Sequence, residues 1–462
     1  MMSIAEVIAA TGAKLLQGEA QGQVVGVSTD SRKVSPGELF IALRGENFDG
    51  HGFVAQALQR GASAALVSAP PKRPMKGTLL LAPDTLRALG ALAASWRKKF
   101  ELPVVAVTGS VGKTTTKEMI AAILAQLGEV LKTPVNYNNE IGVPLAVLQL
   151  NSGHRSAVFE LAMRGRGQIR YLAEIVAPTV GVITNIGASH LELLGSREEI
   201  AAAKGELLEA MGPRGVAVLP EESAHFAFLR QKAGQVVSFG LARGDVRAQD
   251  ISADPGGVKF RLWLPEDVGG EGDWYAVKLS VTGKHNVINA TAAAAAAKCA
   301  GASPAQIVRG LEAVMAVAGR MRVLQAPAGF TIIDDAYNAS PDSMKAALEA
   351  LAEMEGGGKI AVLGEMRELG PESAALHRAL GRQAAAIPLE LLVTVGEMGK
   401  EIASGAADAL SSAAIEFVPD AQAALQLLTR LVRKGDVVLV KASRAIGLDA
   451  VVEGLMESKP QD

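Results

Sequence analysis

The sequence predicts an α/β protein built from three domains whose sheets are mainly parallel. The chain has 462 residues, which is more than a single hydrophobic core normally serves. From Val104 onward, apolar strand segments alternate with helical segments, and a second alternating series starts at Thr331. Such alternation is typical of parallel sheets that are covered by helices on both faces. We therefore expect domains at residues 1–83, 84–322 and 323–462.

The first domain is expected to be a small α/β unit, because short apolar runs alternate with turns and short helices. Its predicted strands are residues 24–27, 39–43, 64–67 and 78–81. Asp84 is a favourable helix-capping residue that precedes a helical pattern. We expect it to begin a linker helix, residues 84–99, that leads into the second domain.

The second and third domains each show a series of buried-strand patterns. In the second domain the predicted strands are residues 104–107, 157–161, 180–184, 216–219 and 236–239, followed by an antiparallel edge at 258–263 and 275–279. A long alanine-rich helix follows His285. In the third domain the predicted strands are residues 332–333, 360–363, 391–395, 415–418 and 437–440. These strands and their intervening helices predict a Rossmann-like, doubly wound third domain.

The composition excludes several classes of protein. The chain has 46 Lys and Arg against 48 Asp and Glu, so no basic excess favours a nucleic-acid partner. Its single cysteine, Cys299, excludes an internal disulfide and a cysteine-based metal cluster. Glu6 interrupts the first apolar residues, and no apolar run reaches the roughly 18 residues of a membrane span. We expect a cytoplasmic protein with no signal peptide and no membrane insertion.

A glycine-rich turn follows the first strand of the second domain, where residues 104–118 read VVAVTGSVGKTTTKE. Glycines let backbone N–H groups approach phosphate oxygens, a lysine neutralises phosphate charge, and a hydroxyl can ligate Mg²⁺. Only Ser110 and Val111 separate the two glycines, whereas the general pattern has about four residues there. The pattern predicts that ATP or GTP binds at Gly109, Ser110, Gly112, Lys113, Thr114 and Thr115.

Polar residues also stand at the predicted carboxyl ends of the neighbouring strands, where parallel sheets bind ligands. Glu160 is a natural Mg²⁺ ligand there, although a solvated strand-end acid is the alternative. His190 follows a glycine turn at the same edge and could be structural or functional. Lys204 by itself indicates a helix-surface lysine paired with a nearby glutamate. Asn286 and Asn289 share a helix face, so they could cap the helix or read the edge of a base.

The third domain offers a second group of candidates. Asp335 ends the first strand of that domain, and Arg320 just before it could reach a phosphate across a cleft. Lys441, Ser443 and Arg444 form a basic, hydroxyl-bearing strand end that suits a carboxylate ligand.

Taken together, these segments resemble the Mur ligases, the ATP-dependent amino-acid-adding enzymes of peptidoglycan synthesis, over essentially the whole chain. Residues 108–115 (TGSVGKTT) look like the shortened phosphate loop of that family. Residues 136–145, 335–344 and 362–370 resemble segments of the branch that adds D-alanyl-D-alanine to UDP-MurNAc-tripeptide. Residues 29–32 and 40–53 are similar to the UDP-sugar-binding domain that the Mur ligases carry at the N-terminus. Residues 160–162, 338–341 and 441–444 depart from the common family patterns, and the last two departures lie where the dipeptide is expected.

The resemblance implies roles for individual residues. Thr114 and Glu160 would bind Mg²⁺, His190 would bind a second Mg²⁺, and Lys204 would be carbamylated. Asn286, Asn289 and Asp335 would hold adenosine, and Arg320 the γ-phosphate of ATP. Lys113, His190, Lys204 and Arg320 would be the catalytic residues. The residues expected to bind the UDP-linked peptide and the incoming dipeptide are Ser31, Arg32, Asp49, His51, Asn138, Asn139, Asn338, Lys441, Ser443 and Arg444.

The resemblance also implies an activity: a monomeric ligase that joins D-Ala-D-Ala to UDP-MurNAc-tripeptide through an acyl phosphate. Two alternatives remain open at the level of sequence. One is a Mur-type ligase that adds another amino acid or dipeptide. The other is a nucleotide-dependent switch that binds ATP and ligates nothing, although such a switch has no need of a UDP-sugar pocket.

Overall fold

The computed structural model describes residues 2–45, 48–71, 74–189, 191–254, 257–266, 270–407 and 414–458. The predicted α/β class is confirmed, and the described residues form three mainly parallel sheets together with one short antiparallel pair. None of the helices in this part of the chain combines the length and the apolar character that crossing a membrane requires.

The first sheet and the short antiparallel pair lie in residues 2–81. The strands of this region are β1 (Met2–Ser3), β2 (Lys14–Gln17), β3 (Gln23–Val24), β4 (Val27–Ser28), β5 (Leu39–Ile41), β6 (Ala64–Val67) and β7 (Thr78–Leu81), and the helices are α1 (Ile4–Thr11), α2 (Val54–Gln59) and α3 (Thr85–Arg97). Strands β4 to β7 are parallel, β2 closes the sheet in antiparallel orientation, and β1 pairs with β3. The strand predicted at residues 24–27 is therefore two strands that pair with different neighbours. Asp84 caps α3 as predicted, since its carboxylate accepts from the N–H groups of Leu86 and Arg87.

The second sheet has nine strands. They are β8 (Val104–Thr108), β9 (Val130–Lys132), β10 (Ser156–Glu160), β11 (Val180–Ile183), β12 (Val216–Pro220), β13 (Gln235–Gly240), β14 (Val246–Asp254), β15 (Gly257–Pro265) and β16 (Gly272–Leu279), in the order β16-β15-β14-β13-β12-β11-β8-β10-β9. Its helices are α4 (Lys113–Leu124), α5 (Gly142–Val147), α6 (Gln168–Val176), α7 (Leu191–Leu194), α8 (Arg197–Met211), α9 (Phe226–Arg230), α10 (Lys284–Cys299) and α11 (Pro304–Glu312). Strands β15 and β16 form the antiparallel edge that was predicted, and β14, which was not predicted, pairs with β15 in the same antiparallel sense.

Strand β8 is buried on both faces, as the continuous apolar run predicts. Val105 and Val107 belong to a core that includes α4, α10 and α11, whereas Val104 and Ala106 belong to the core beneath α6 and α8. Because β8 lies between β10 and β11, the segments that follow these three strands meet at one edge of the sheet. That edge carries the phosphate loop.

The third sheet is formed by β17 (Arg322–Gln325), β18 (Thr331–Asp334), β19 (Lys359–Gly364), β20 (Leu391–Val395), β21 (Ala414–Val418) and β22 (Val437–Lys441), in the order β17-β18-β22-β19-β20-β21. The helices are α12 (Pro341–Glu353), α13 (Ser373–Ala385), α14 (Gly399–Ala407), α15 (Ala421–Leu431) and α16 (Asp449–Glu457). Strands β18, β22 and β19 are adjacent and parallel, so the residues after them face a common edge. Single-turn 3₁₀ helices lie at Gly50–Phe53, Gly370–Glu372 and Arg444–Ile446.

Candidate active site

The phosphate loop has a backbone that tolerates no side chain at either glycine. Gly109 has a φ of 152° and Gly112 a φ of 82°, both in the region that favours glycine. A Cβ atom on Gly109 would lie 1.8 Å from Oγ1 of Thr184, and one on Gly112 would lie 2.4 Å from Oδ1 of Asn289. The loop is therefore packed against β11 on one side and α10 on the other.

Two amides of the loop are held by a single side chain that the sequence analysis did not select. Oδ1 of Asn185 accepts hydrogen bonds from the N–H groups of Ser110 at 3.0 Å and Val111 at 2.9 Å. The hydroxyl of Ser110 accepts from the N–H of Gly187 at 2.9 Å. These contacts fix the loop in a shape that presents the N-terminus of α4 to the cavity, where an anion is favoured.

Lys113 is the first residue of α4 and turns back over the loop. Its ammonium group donates to the carbonyls of Gly109 at 2.8 Å and Ser110 at 3.3 Å. Burial lowers the pKa of Lys113, the charge of Arg320 lowers it further, and the carboxylates of Glu160 and Glu368 raise it. An added phosphate would offer this ammonium a stronger acceptor than two carbonyls.

Glu160 ends β10 directly beside Thr114. Its Oε2 accepts from the Thr114 hydroxyl at 2.8 Å, and its Oε1 accepts from the Asn138 amide at 2.9 Å. A carboxylate and a hydroxyl in contact are the oxygen ligands that Mg²⁺ prefers, so these residues fit that ion. The described residues contain no group of three or more His, Cys, Asp or Glu side chains that could hold a metal, so phosphate oxygens and water would complete its coordination. His190 lies outside the described residues.

Lys204 is not the surface lysine that its local sequence indicates. Lys204 belongs to α8 with only 1% of the residue exposed, and burial together with the charge of Lys113 holds its pKa well below the usual range. Its ammonium has no hydrogen-bond partner within the residues that the structure describes. Glu206, two residues on, turns instead to the start of α6 and accepts from the N–H of Gly167.

The two asparagines of α10 face the phosphate loop as a linked pair. The Asn289 amide donates to Oδ1 of Asn286 at 3.0 Å, and the Asn286 amide donates to the carbonyl of Thr282 at 2.7 Å. Asn286 does not cap the helix, because the N-cap position is Gly283, which has no side chain to do so. The neighbouring His285 has its pKa lowered to about 4 by burial and by the charge of Lys441.

Arg320 reaches the phosphate loop from the end of the second domain, just before the third domain begins. Its guanidinium donates to the Thr114 hydroxyl at 3.4 Å and stacks on the Tyr337 ring, with 4.0 Å between guanidinium carbon and ring centroid. Behind it, the N–H of Met321 donates to Asp335 at 3.1 Å. Tyr337, which fixes the orientation of Arg320, is not among the residues that the sequence pattern predicts for the site.

Asp335 and Lys441 form a buried ion pair at the carboxyl ends of β18 and β22. Burial raises the pKa of Asp335 and lowers that of Lys441, while the pairing opposes both shifts. Lys441 also donates to the carbonyl of Asn338 at 2.9 Å. The Ser443 hydroxyl accepts from the N–H of Arg367 at 2.9 Å, and Arg444 pairs with Asp449.

A cavity of about 1170 Å³ joins these groups, and its walls come from the second and third domains. It exceeds the roughly 1,000 Å³ upper range of drug-sized pockets, so it has room for a nucleotide and part of another substrate. Most candidates from both domains line it: Ser110, Gly112, Lys113, Thr114, Thr115, Asn138, Asn139, Glu160, Asn286, Asn289, Arg320, Asp335, Asn338, Lys441, Ser443 and Arg444.

The candidates in the first domain lie apart from the lining of this cavity. Asp49 accepts from Nδ1 of His51, and Nε2 of His51 accepts from the N–H of Ser68 at 2.9 Å, so both ring nitrogens are engaged within the domain. Ser31 donates to Gln56, and Arg32 pairs with Asp30. Their expected role in binding the uridine end stays a prediction.

Comparison with known proteins places the chain in a family. The Mur ligase middle-domain model matches residues 107–297, the Mur ligase glutamate ligase domain model matches residues 319–444, and the Mur ligase catalytic-domain model matches residues 23–127. A UDP-N-acetylmuramoyl-tripeptide–D-alanyl-D-alanine ligase from Synechocystis is 40% identical over 445 residues, covering 94% of this chain and 92% of that protein. The chain belongs to the Mur ligase family. The corresponding Bacillus subtilis ligase is 38% identical over 95% of this chain and 94% of its own.

Solved structures of the family agree with the fold over its whole length. A crystal structure of MurF from Acinetobacter baumannii superimposes with a TM-score of 0.90 at 36% identity, covering 98% of both chains. The Thermotoga maritima MurF ligase in complex with ADP gives a TM-score of 0.82 at 31% identity, covering 94% of this chain and 97% of that one. The resemblance stated from sequence motifs is confirmed at the level of family and fold.

Proposed function

We propose that this protein is an ATP-dependent ligase that joins D-alanyl-D-alanine to UDP-MurNAc-tripeptide, giving UDP-MurNAc-pentapeptide, ADP and phosphate. The observation that carries the proposal is the full-length likeness, at 38 to 40% identity, to ligases named for that reaction. The cavity supports it, because it places a phosphate loop opposite the ion pair and basic strand end of the third domain.

The first step is phosphoryl transfer. A carboxylate oxygen of the bound peptide attacks the γ-phosphorus of ATP, and ADP leaves. Two anions must approach each other, so Lys113 at the loop and Arg320 from the junction with the third domain neutralise the transferring group. Mg²⁺, when held at Thr114 and Glu160, supplies a Lewis acid that withdraws charge from the phosphate oxygens.

The second step is amide formation. The neutral amine of the dipeptide attacks the acyl-phosphate carbon, so a C–N bond forms and the C–O bond to phosphate breaks. Phosphate leaves with that electron pair, and the nitrogen releases its extra proton. Because one wall of the cavity belongs to the third domain, its approach assembles the reacting groups and excludes water.

We propose that each domain binds one of the three substrates. Residues 1–83 bind the UDP end of the peptide substrate through Ser31, Arg32, Asp49 and His51. Residues 84–322 bind ATP, with Asn286 and Asn289 beside the adenosine. Residues 323–462 bind the dipeptide near Asn338, Lys441 and Ser443. The monomeric state and the cytoplasmic location stay predictions.

Lys204 is proposed to carry a carbamate. Its buried position and lowered pKa favour the uncharged amine, which is the form that reacts with carbon dioxide. The product would be an anion close to Lys113, whose charge acts on Lys204. This modification would relieve the cost of a buried lysine that has no described partner.

The test is phosphate release from ATP with UDP-MurNAc-tripeptide, with and without D-Ala-D-Ala, followed by the mass of the product. Release that requires both substrates and yields the pentapeptide supports the proposal. Release with a different amine would keep the ligase and change its specificity. ATP turnover that is indifferent to both substrates would favour the nucleotide-dependent switch.

A further inference from the structure

Glu368 has a backbone conformation that its side chain does not favour. Its φ is 63°, in the left-handed region, where glycine is common and, among other residues, mainly asparagine and aspartate occur. A glutamate there costs conformational energy, and such positions persist only when the surrounding structure fixes them. Strained residues of this kind concentrate at binding and catalytic sites.

The segment that leads to Glu368 is pinned at three consecutive residues. The N–H of Ser443 donates to the carbonyl of Glu365 at 2.9 Å. The N–H groups of Met366 and Arg367 donate to Nε2 of His377 and to the Ser443 hydroxyl, each at 2.9 Å. These bonds hold the chain in place immediately before the strained residue.

The segment that follows Glu368 meets the second domain. A Cβ atom added to Gly370 would lie 3.1 Å from Cβ of Glu192, which belongs to α7. Glu368 therefore lies at the junction of two domains, fixed on one side by its own sheet and bounded on the other by α7. It lines the cavity together with Lys113 and Ser443.

Glu368 lines the cavity that contains the phosphate loop, and its charge acts on Lys113. Glu160 and Glu368 are the acids whose charge raises the pKa of Lys113. Glu160 already accepts from Thr114 and Asn138 at the position that suits Mg²⁺. Glu368 lines the same cavity from the third domain.

The incoming dipeptide has an ammonium group at one end and a carboxylate at the other. Its nitrogen must lie beside the acyl phosphate before it loses a proton and becomes the attacking amine, and the cation bound there requires an anionic partner. We propose that the Glu368 carboxylate binds the ammonium group of the dipeptide and directs its nitrogen toward the phosphate loop. This inference rests on the proposed ligase function and assigns a residue to the amine end of its second substrate.

The experiment compares Glu368→Gln with the matched control Glu372→Gln, which changes an exposed glutamate in the neighbouring 3₁₀ turn. Loss of a hydrogen bond to a charged group corresponds to roughly a 10- to 100-fold effect, so we expect kcat/KM for D-Ala-D-Ala to fall by that factor in Glu368→Gln alone. Hydroxylamine, which is uncharged at neutral pH, should still trap the acyl phosphate as hydroxamate at about the wild-type rate.

A second measurement tests recognition of charge directly. D-lactyl-D-alanine, with a hydroxyl in place of the ammonium, should compete poorly with D-Ala-D-Ala in the wild type. In Glu368→Gln the two should bind with similar affinity. If Glu368→Gln fails to fold, Glu368→Asp takes its place. Because the aspartate retains the negative charge, this variant should still prefer D-Ala-D-Ala to D-lactyl-D-alanine. Loss of that preference would count against the proposal.

Three results would overturn the inference. Ligation by Glu368→Gln at the wild-type rate would show that the carboxylate is not needed. An equal fall in hydroxamate formation would place Glu368 in the first step. If Glu368→Gln still preferred D-Ala-D-Ala to D-lactyl-D-alanine, another residue would have to recognise the ammonium group. Failure of the wild type to make pentapeptide would instead reject the proposed function itself.

Discussion

The carboxylate of Asp342 accepts a hydrogen bond from the backbone N–H of Ala188 at 3.1 Å. Asp342 lies in the first turn of α12 in the third domain, and Ala188 lies in the loop that follows β11 in the second. The same oxygen, Oδ2, would be 2.2 Å from a Cβ atom on Gly187. The two domains therefore meet next to the phosphate loop, at a site with no room for an extra methyl group.

Replacement of Gly187 by alanine should prevent this contact. Because misplacement of reacting groups by about 1 Å can cost about 100-fold, we expect kcat to fall by 10- to 100-fold. ATP affinity, measured by calorimetry, should change little, since the loop amides remain bound to Asn185. Gly165→Ala is the control, because a Cβ there meets no atom within 4 Å. Equal activity of both variants would contradict the assigned role of the contact.

Lys113→Ala should abolish ligation, because it removes the cation that the first residue of α4 holds over the phosphate loop. Loss of a preorganised donor to a transferring group costs about 10² to 10³ in rate. Binding of UDP-MurNAc-tripeptide, measured by calorimetry, should persist because the expected UDP site lies in the first domain. Simultaneous loss of turnover and of UDP-substrate binding would mean that the loop has a structural role.

Asn185→Ala should weaken ATP binding without changing the chemistry. The substitution removes the acceptor of two loop N–H groups, at about 1 kcal/mol each, and leaves the loop less ordered before the nucleotide arrives. We expect KM for ATP to rise about tenfold, with a smaller change in kcat. A variant that loses kcat at unchanged KM would show instead that Asn185 acts in the transition state.

Lys204→Met should be inactive and more stable than wild-type protein whose Lys204 carries no carbamate. The pKa of Lys204 is lowered on folding, so the unfolded chain binds more protons and the lysine destabilises the fold at pH 7. That penalty shrinks as the pH rises toward the ordinary lysine pKa and is absent in the methionine variant. Thermal unfolding at pH 7 and pH 9.5 measures the difference.

The carbamate has its own test in Lys204→Ala. A short carboxylic acid in the buffer can occupy the space and supply the missing anion, so we expect a partial return of the ligation rate. Full activity of Lys204→Ala without added acid would show that ligation does not require a carbamate on Lys204.

We expect the folded protein to lose stability in mild acid because of His285. Its pKa is lowered to about 4 on folding, so stability is lost as the pH falls below the ordinary value of about 6.5. The slope from this one group approaches about 1.4 kcal/mol per pH unit between those values. His285→Gln should flatten the dependence of the urea midpoint on pH over that range. An unchanged profile would show that this histidine is not buried in solution.

The main strands could be predicted because their sequences are unambiguous. Strand β8 is a run of apolar β-formers before a glycine turn, and its position fixed the neighbouring strand ends that carry Glu160. Strand β14 was missed because its alternation is broken by a bulge between Gln249 and Ser252, with Asp250 at a φ of 55°. Strands β1 and β9, of two and three residues, carry too little pattern to be recognised.

The candidate site was predictable where one segment of chain carries the chemistry. Asn185, Asp342 and Glu368 were missed because their roles depend on contacts between segments far apart in the chain. The burial of Lys204 could not be predicted from its neighbours in the sequence. A lysine close to glutamates is typical of an exposed helix face, and only tertiary packing buries this one. The positive φ of Glu368 left no mark in the sequence, because no glycine or asparagine signals it.

The crowding around Gly109 and Gly112 also bears on how this protein could evade an inhibitor. Any side chain at either position would collide with Thr184 or Asn289. A single substitution that weakened the binding of an inhibitor at this turn would therefore also impair the enzyme. A molecule that hydrogen-bonds to the main chain of this turn would therefore meet a surface with few viable escape mutations. Drug resistance would have to arise from residues farther out along the cavity wall.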